Sequence, residues 1–90
     1  MMDYEAIGRR IRQARIKNGL SQEETAELAH ISLSFYGHIE RGTRKMSMET
    51  FAAICSALNC SADFILGNSA AYPVAYRQTL QRLQDFIASE

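Results

Sequence analysis

The sequence predicts an all-α fold: five short helices packed as one domain over residues 1–67, then a linker and a further helix over 68–90. Three observations carry this. Apolar residues recur at three- and four-residue steps, as in Tyr4, Ile7, Ile11 and Ala14 and again in Phe51, Ile54, Cys55 and Leu58, the stripe of a helix with one buried face. Serine stands just before later helical runs, at Ser21, Ser32, Ser47 and Ser61, and glycine closes several of them. One proline and five glycines are too few for a turn-dense β fold. Ninety residues suffice for one modest core and not for two.

The first helix spans Asp3 to Asn18, with Arg9, Arg10, Arg12, Arg15 and Lys17 mostly off its apolar stripe. A solvated face and a functional basic face both fit those cations. Asn18-Gly19 ends the helix, and Leu20 plugs the core. Ser21 with Glu24 three residues on is the capping-box pattern, so a second helix runs from Gln22 to about Ala29. Gln22 is its first residue, and its amide points beyond the N-terminus, where the helix dipole favours an anion; an ordinary solvated Gln also fits. His30-Ile31 forms a turn, with His30 among the side chains that tolerate the left-handed region.

Ser32 caps the third helix, Leu33 to Arg41, and Gly42 ends it. Phe35, Tyr36 and Ile39 share one face and should pack inward against Ala26, Leu28 and Ala29. Leu33, Ser34, Gly37, His38 and Arg41 share the other. A short helix held on one face and open on the other suits a DNA major groove. Next come Arg41-Gly42-Thr43-Arg44-Lys45, a basic turn suited to the flanking phosphates; plain surface charge is the alternative. Ser47 and Glu49 begin the fourth helix. Ser61 caps a short fifth, where Phe64, Ile65 and Leu66 supply bulk and Gly67 ends it. Asn68 to Tyr72 is a small-residue linker. From Pro73 a last helix carries a seam of Tyr76, Leu80, Leu83 and Ile87, which must dock on its own domain or on a second copy.

Apolar residues at 47% and charged residues at 22% fit a soluble globular protein. No run suits a membrane span and MMDYEAIGRR lacks a signal-peptide core, so a cytoplasmic location is expected. The net charge is zero, but residues 1–45 hold eight Lys/Arg against six Asp/Glu, and residues 46–90 two against four. A modest basic face is compatible with DNA. Cys55 and Cys60 lack a CxxC pattern, and His30 and His38 are wrongly spaced for a ligand set, so no metal, no cofactor and no redox site is expected. The cysteines read as small core residues. No catalytic constellation stands at sensible spacing, which excludes an enzyme reading.

GLSQEETAELAHISLSFYGHIERG, residues 19–42, resembles the helix-turn-helix of the phage-repressor/Cro family, the xenobiotic-response-element (XRE) type. The likeness continues through SMETFAAICSALNCSADFILG and covers Ala6 to Gly67. It implies a lambda-repressor-like five-helix domain that binds double-stranded DNA. It further implies an ion pair of Arg15 with Glu40, a phosphate held by Gln22, and a groove approached by Ser32, Leu33, Ser34 and His38, with Arg41, Thr43, Arg44 and Lys45 beside the phosphates. Three residues depart from the pattern. His30 stands where the family prefers Gly, Leu33 where a long polar residue is common, and Gly37 has no side chain to read with. Close approach to DNA and tight packing against a protein partner both suit Leu33 and Gly37. The expected function is a sequence-specific transcriptional regulator, a repressor acting as a homodimer on a palindromic operator, with Tyr76, Leu80, Leu83 and Ile87 at the dimer interface. Effector control of such a regulator would come from a separate protein partner; the alternative is a protein-interaction module, such as an antitoxin or developmental regulator, using the same fold with weak DNA binding.

Overall fold

The computed structural model describes residues 2–67. They form α1 (Tyr4–Lys17), α2 (Gln22–Leu28), α3 (Leu33–Arg41), α4 (Met48–Leu58) and α5 (Ala62–Leu66), with no strand among the described residues. The linker and the seam of Tyr76, Leu80, Leu83 and Ile87 lie outside the described residues.

Each helix starts on a side-chain cap. Asp3 Oδ1 accepts from Ala6 N–H, and Ser21, Ser32, Ser47 and Ser61 accept from the N–H of Glu24, Phe35, Thr50 and Phe64. Each cap satisfies an N–H that has no partner inside the helix. At Ser21 the box is reciprocal, because Glu24 Oε1 accepts from Ser21 N–H at 2.9 Å. Those bonds from Ser21 hold the Glu24 carboxyl below its ordinary pKa.

The first four helices also end alike. Leu20, Ile31, Thr43 and Cys60 each return an N–H to the carbonyl five residues back, at Arg15, Ala26, His38 and Cys55. This is the Schellman ending, which needs a left-handed residue one position earlier. Gly19 and Gly42 supply it freely, while His30 (φ 59°) and Asn59 (φ 50°) do so as side-chain-bearing residues.

The core gathers the apolar stripe of every helix: Ile7, Ile11 and Ala14 of α1, Ala26 of α2, Tyr36 and Ile39 of α3, Phe51, Ile54 and Leu58 of α4, and Ile65 of α5, with Ala29 beside them. Helix α1 packs on α3 and α5, and α2 packs on α3 and α4. The α1–α3 crossing turns on Gly8, where an added Cβ would lie 2.5 Å from the Ile39 carbonyl oxygen and closer still to that of Glu40. Backbone touches backbone there. Asn18 Nδ2 donates to Ala14 O and Leu58 O at 2.7 and 2.8 Å, tying the end of α1 to the end of α4.

Two expectations need correcting. Leu28 does not pack inward: it is 54% exposed, because the helix stops there and the core-facing positions of that turn go to Ala26 and Ala29. Phe64 supplies little bulk, being 47% exposed, while Ile65 fills the core from α5. Cys55 and Cys60, expected as small core residues, are half-buried and pack against the core.

Candidate nucleic-acid interface

Helix α3 is clamped from behind. Tyr36 and Ile39 are fully buried, and the Glu40 side chain is only 3% exposed. Its carboxylate accepts from Arg15 Nε at 2.6 Å and Nη2 at 3.3 Å, while Gln22 Nε2 donates to the same group at 2.9 Å. Arg15 Nη1 also donates to Leu20 O at 2.9 Å. One buried carboxylate thus joins α1, the first residue of α2 and the last turn of α3.

Burial alone would push the Glu40 carboxyl up. The Arg15 and Gln22 donors, with the Tyr36 hydroxyl nearby, outweigh that and leave it below the ordinary value. Its hydrogen bond in turn raises Arg15, so both partners stay charged. The buried Tyr36 hydroxyl has no partner in hydrogen-bonding geometry, and burial first, then Glu40, hold it protonated. Thr25, fully buried beside this group, donates its hydroxyl to Ser21 O at 2.9 Å.

The outer side of α3 presents Ser32, Leu33, Ser34 and Arg41 as exposed residues and His38 as a half-buried one. Ser32 spends its hydroxyl oxygen on the cap, accepting from Phe35 N–H at 3.0 Å. Gly37 is buried despite lying on this side, because the Arg41 guanidinium folds across it; an added Cβ would sit 3.1 Å from Arg41 Nη1. Direct approach to Gly37 therefore requires Arg41 to swing aside.

The basic turn is ordered by its own contacts. Gly42 (φ 74°) lies against α1, where a Cβ would meet Glu5 N at 2.7 Å. His38 Nδ1 and Thr43 Oγ1 are 2.8 Å apart, and the same hydroxyl reaches His38 O at 3.2 Å. A hydroxyl has one hydrogen. With it on the carbonyl, Nδ1–H donates to Thr43 and Nε2 is left an acceptor; with it on the ring, Nε2 is left a donor. Thr43 thus engages His38 first and is not a free donor for a phosphate. Lys45 Nζ lies 5.9 Å from the centre of the Tyr4 ring, a cation–π contact that leaves the ammonium exposed. Arg44 is exposed.

The structure joins Arg15, Glu40 and Gln22 in one group, and the seam residues 76–87 lie outside the described part. The roles of Gly8 and Thr25, and the tie of Asn18 to α4, had no counterpart in the sequence reading. Only Gly8 carried a signal, as a glycine inside a strong helical stripe, where its cost of about 0.5–1 kcal/mol needs a packing reason. Among the described residues no helix is long and apolar enough to cross a membrane.

A helix-turn-helix family model matches residues 11–65. The chain is 36% identical over 62 residues to the transcriptional regulator ClgR of Mycobacterium tuberculosis, a match covering 69% of this chain and 55% of that protein. The chain therefore spans about half the length of that relative. It is 44% identical over 62 residues to YazB, an uncharacterised HTH-type transcriptional regulator of Bacillus subtilis, covering 69% of this chain and 90% of that one. Among solved structures, the restriction-modification controller protein C.AhdI of Aeromonas hydrophila superposes with a TM-score of 0.67 at 33% identity, over 70% of this chain and 96% of its own. With the fold, the capped turn and these matches in agreement, the chain belongs to the XRE-type helix-turn-helix family of transcriptional regulators, which are not enzymes.

Proposed function

We propose that this protein is a sequence-specific double-stranded-DNA-binding regulator that represses transcription from the cytoplasm as a homodimer on a palindromic operator. The observation that carries this reading is the rigid mounting of α3, whose outer row of Ser32, Leu33, Ser34, His38 and Arg41 faces away from the core while its inner side is locked through Glu40. Docked in a major groove, Ser34 and His38 read base edges and Leu33 meets a thymine methyl. Arg41, Arg44 and Lys45 neutralise phosphates. Gln22 keeps one amide hydrogen on Glu40 and has a second for a phosphate at the start of α2. Thr43 acts through His38, since its hydroxyl fixes which ring nitrogen is left to donate or accept. An Nε2 donor suits a base acceptor, guanine O6 or N7, adenine N7 or thymine O4; an Nε2 acceptor suits the amino group of adenine or cytosine.

Selection of bound sequences from a random DNA pool tests this. Two half-sites about one helical turn apart are expected; a single, asymmetric site overturns the symmetric reading. Cutting the chain after Gly67 should leave a folded monomer that binds one half-site weakly, with sedimentation as the check. A truncated chain that stays dimeric places the interface elsewhere than Tyr76, Leu80, Leu83 and Ile87.

One observation favours a second reading. Leu28 and Leu33, at 54% and 43% exposure, flank the turn between α2 and α3. An interaction module of the antitoxin or developmental-regulator kind would bury both on a protein partner. Low-salt gel shifts against random DNA separate the two: no retardation at any concentration would favour the module.

A further inference from the structure

The turn after α4 places two thiols side by side. Asn59 takes the left-handed conformation, and Cys60 N–H returns to Cys55 O at 3.1 Å. In this ending the residues five apart are the pair whose side chains usually meet in an apolar contact. Here both are cysteine, both are free, and both are half-buried. Each perturbs the ionisation of the other, as thiols in mutual reach do. A disulfide asks for Cα atoms about 4.4–6.8 Å apart with converging Cβ atoms, and a turn closed by a bond between these same two backbones supplies that proximity. Surroundings distinguish the two. Cys60 lines a cleft of about 670 Å³ between the end of α1 and the α4–α5 turn, alongside Gln13, Lys17, Asn59 and Phe64; Cys55 does not line it.

We propose that Cys55 and Cys60 form a thiol-oxidation site that closes to an intramolecular disulfide on exposure to a peroxide, with Cys60 as the entry thiol and Cys55 as the resolving thiol. Cys60 gives its proton to solvent and its sulfur attacks one peroxide oxygen. The O–O bond breaks, the departing hydroxide takes up a proton as water, and Cys60 is left as a sulfenic acid. Cys55 then loses its proton and attacks the Cys60 sulfur, expelling hydroxide that leaves as a second water. In balance, two thiols and one hydrogen peroxide become one disulfide and two waters. Burial holds both thiols above their ordinary range, Cys55 at about 11, which makes the site slower than an exposed, acidic thiol and suits it to sustained oxidant. The pair joins the last turn of α4 to the α4–α5 connection, away from α3, so its test is independent of the DNA reading.

The full-length chain is treated with graded hydrogen peroxide under native conditions and followed by intact mass, peptide mapping and thiol titration. The expected result is loss of both thiols together with two hydrogens, one Cys55–Cys60 linkage within a single chain, and full reversal by dithiothreitol. Cys55→Ala should accumulate a Cys60 sulfenic acid captured by dimedone, and Cys60→Ala should react roughly tenfold more slowly. Linkage between chains, independent oxidation of the two sulfurs to sulfinic acids, or faster capture at Cys55 than at Cys60 would overturn the proposal. Should either alanine variant fail to fold, mapping of the wild-type chain still decides whether the pair closes.

Discussion

The ends of α3 and α4 share one backbone solution, a left-handed residue followed by an N–H returned five residues back. At α3 the residues that this brings together are His38 and Thr43, a polar pair on the outer side; at α4 they are Cys55 and Cys60, beside a cleft. The anchoring differs as well. The last turn of α3 is held by the Arg15–Glu40 pair and by Gly42 lying on the backbone of α1, whereas the last turn of α4 is held across to α1 by Asn18. A turn motif therefore sets geometry, and the two side chains it brings together set the chemistry.

The largest expected effect separates the two anchors. Glu40→Ala leaves the half-buried Arg15 without its counter-charge, with only the Leu20 carbonyl to bond, and should cost about 3–5 kcal/mol, whereas Asn18→Ala removes two neutral hydrogen bonds and should cost about 1–2 kcal/mol. Urea denaturation of both variants measures the gap, and equal losses would erase the distinction. The same anchor sets a pH response. Glu40 has a folded-state pKa below its unfolded one, so its contribution is fully present above the unfolded carboxylate value of about 4.3 and is lost as pH falls through the folded value. Glu24 acts in the same direction. Melting temperature followed below pH 5 should drop more steeply for the wild-type chain than for Glu40→Gln.

Next come the left-handed positions. Gly42→Ala adds about 1–2 kcal/mol of left-handed strain to a collision with the Glu5 backbone, so thermal melts should show a loss at least that large. Asn59→Gly should change stability by only a few tenths of a kcal/mol, because Asn tolerates the conformation that Gly would relieve. A costly Asn59→Gly would mean that the α4 end depends on its side chain as well as on its backbone.

The remaining effects concern DNA affinity rather than stability. Thr43→Val should leave stability nearly unchanged yet cost about 1–3 kcal/mol on the preferred site, as His38→Ala should, and the double variant should lose little more than either one. Full additivity would uncouple Thr43 from His38. Arg44→Ala should weaken binding to every sequence alike and flatten the slope of log affinity against log salt by about 0.9.

What the sequence discloses is what is local. Serine caps and left-handed stops are decided within a few residues, so the span of α3 can be read directly from Ser32 and Gly42. The family resemblance adds Arg15 with Glu40, a contact across 25 positions. What stays hidden depends on which neighbour arrives. Leu28 looks inward by periodicity, but α2 ends before the core needs it. Gly37 belongs to the outer row by angle, and only the Arg41 side chain covers it. Cys55 and Cys60 carry no motif until the left-handed Asn59 folds one back onto the other.

The contact at Gly8 has a consequence for anyone wishing to retarget this protein. With the carbonyls of Ile39 and Glu40 resting where a Cβ would be, α3 meets α1 at this crossing through main-chain atoms, and the Arg15–Glu40 pair fixes its last turn. New outer residues at Leu33, Ser34 and His38 can then be transplanted as a set without re-aiming the helix. A graft that brings its own first helix, with any side chain at this crossing, would tilt the whole reading head.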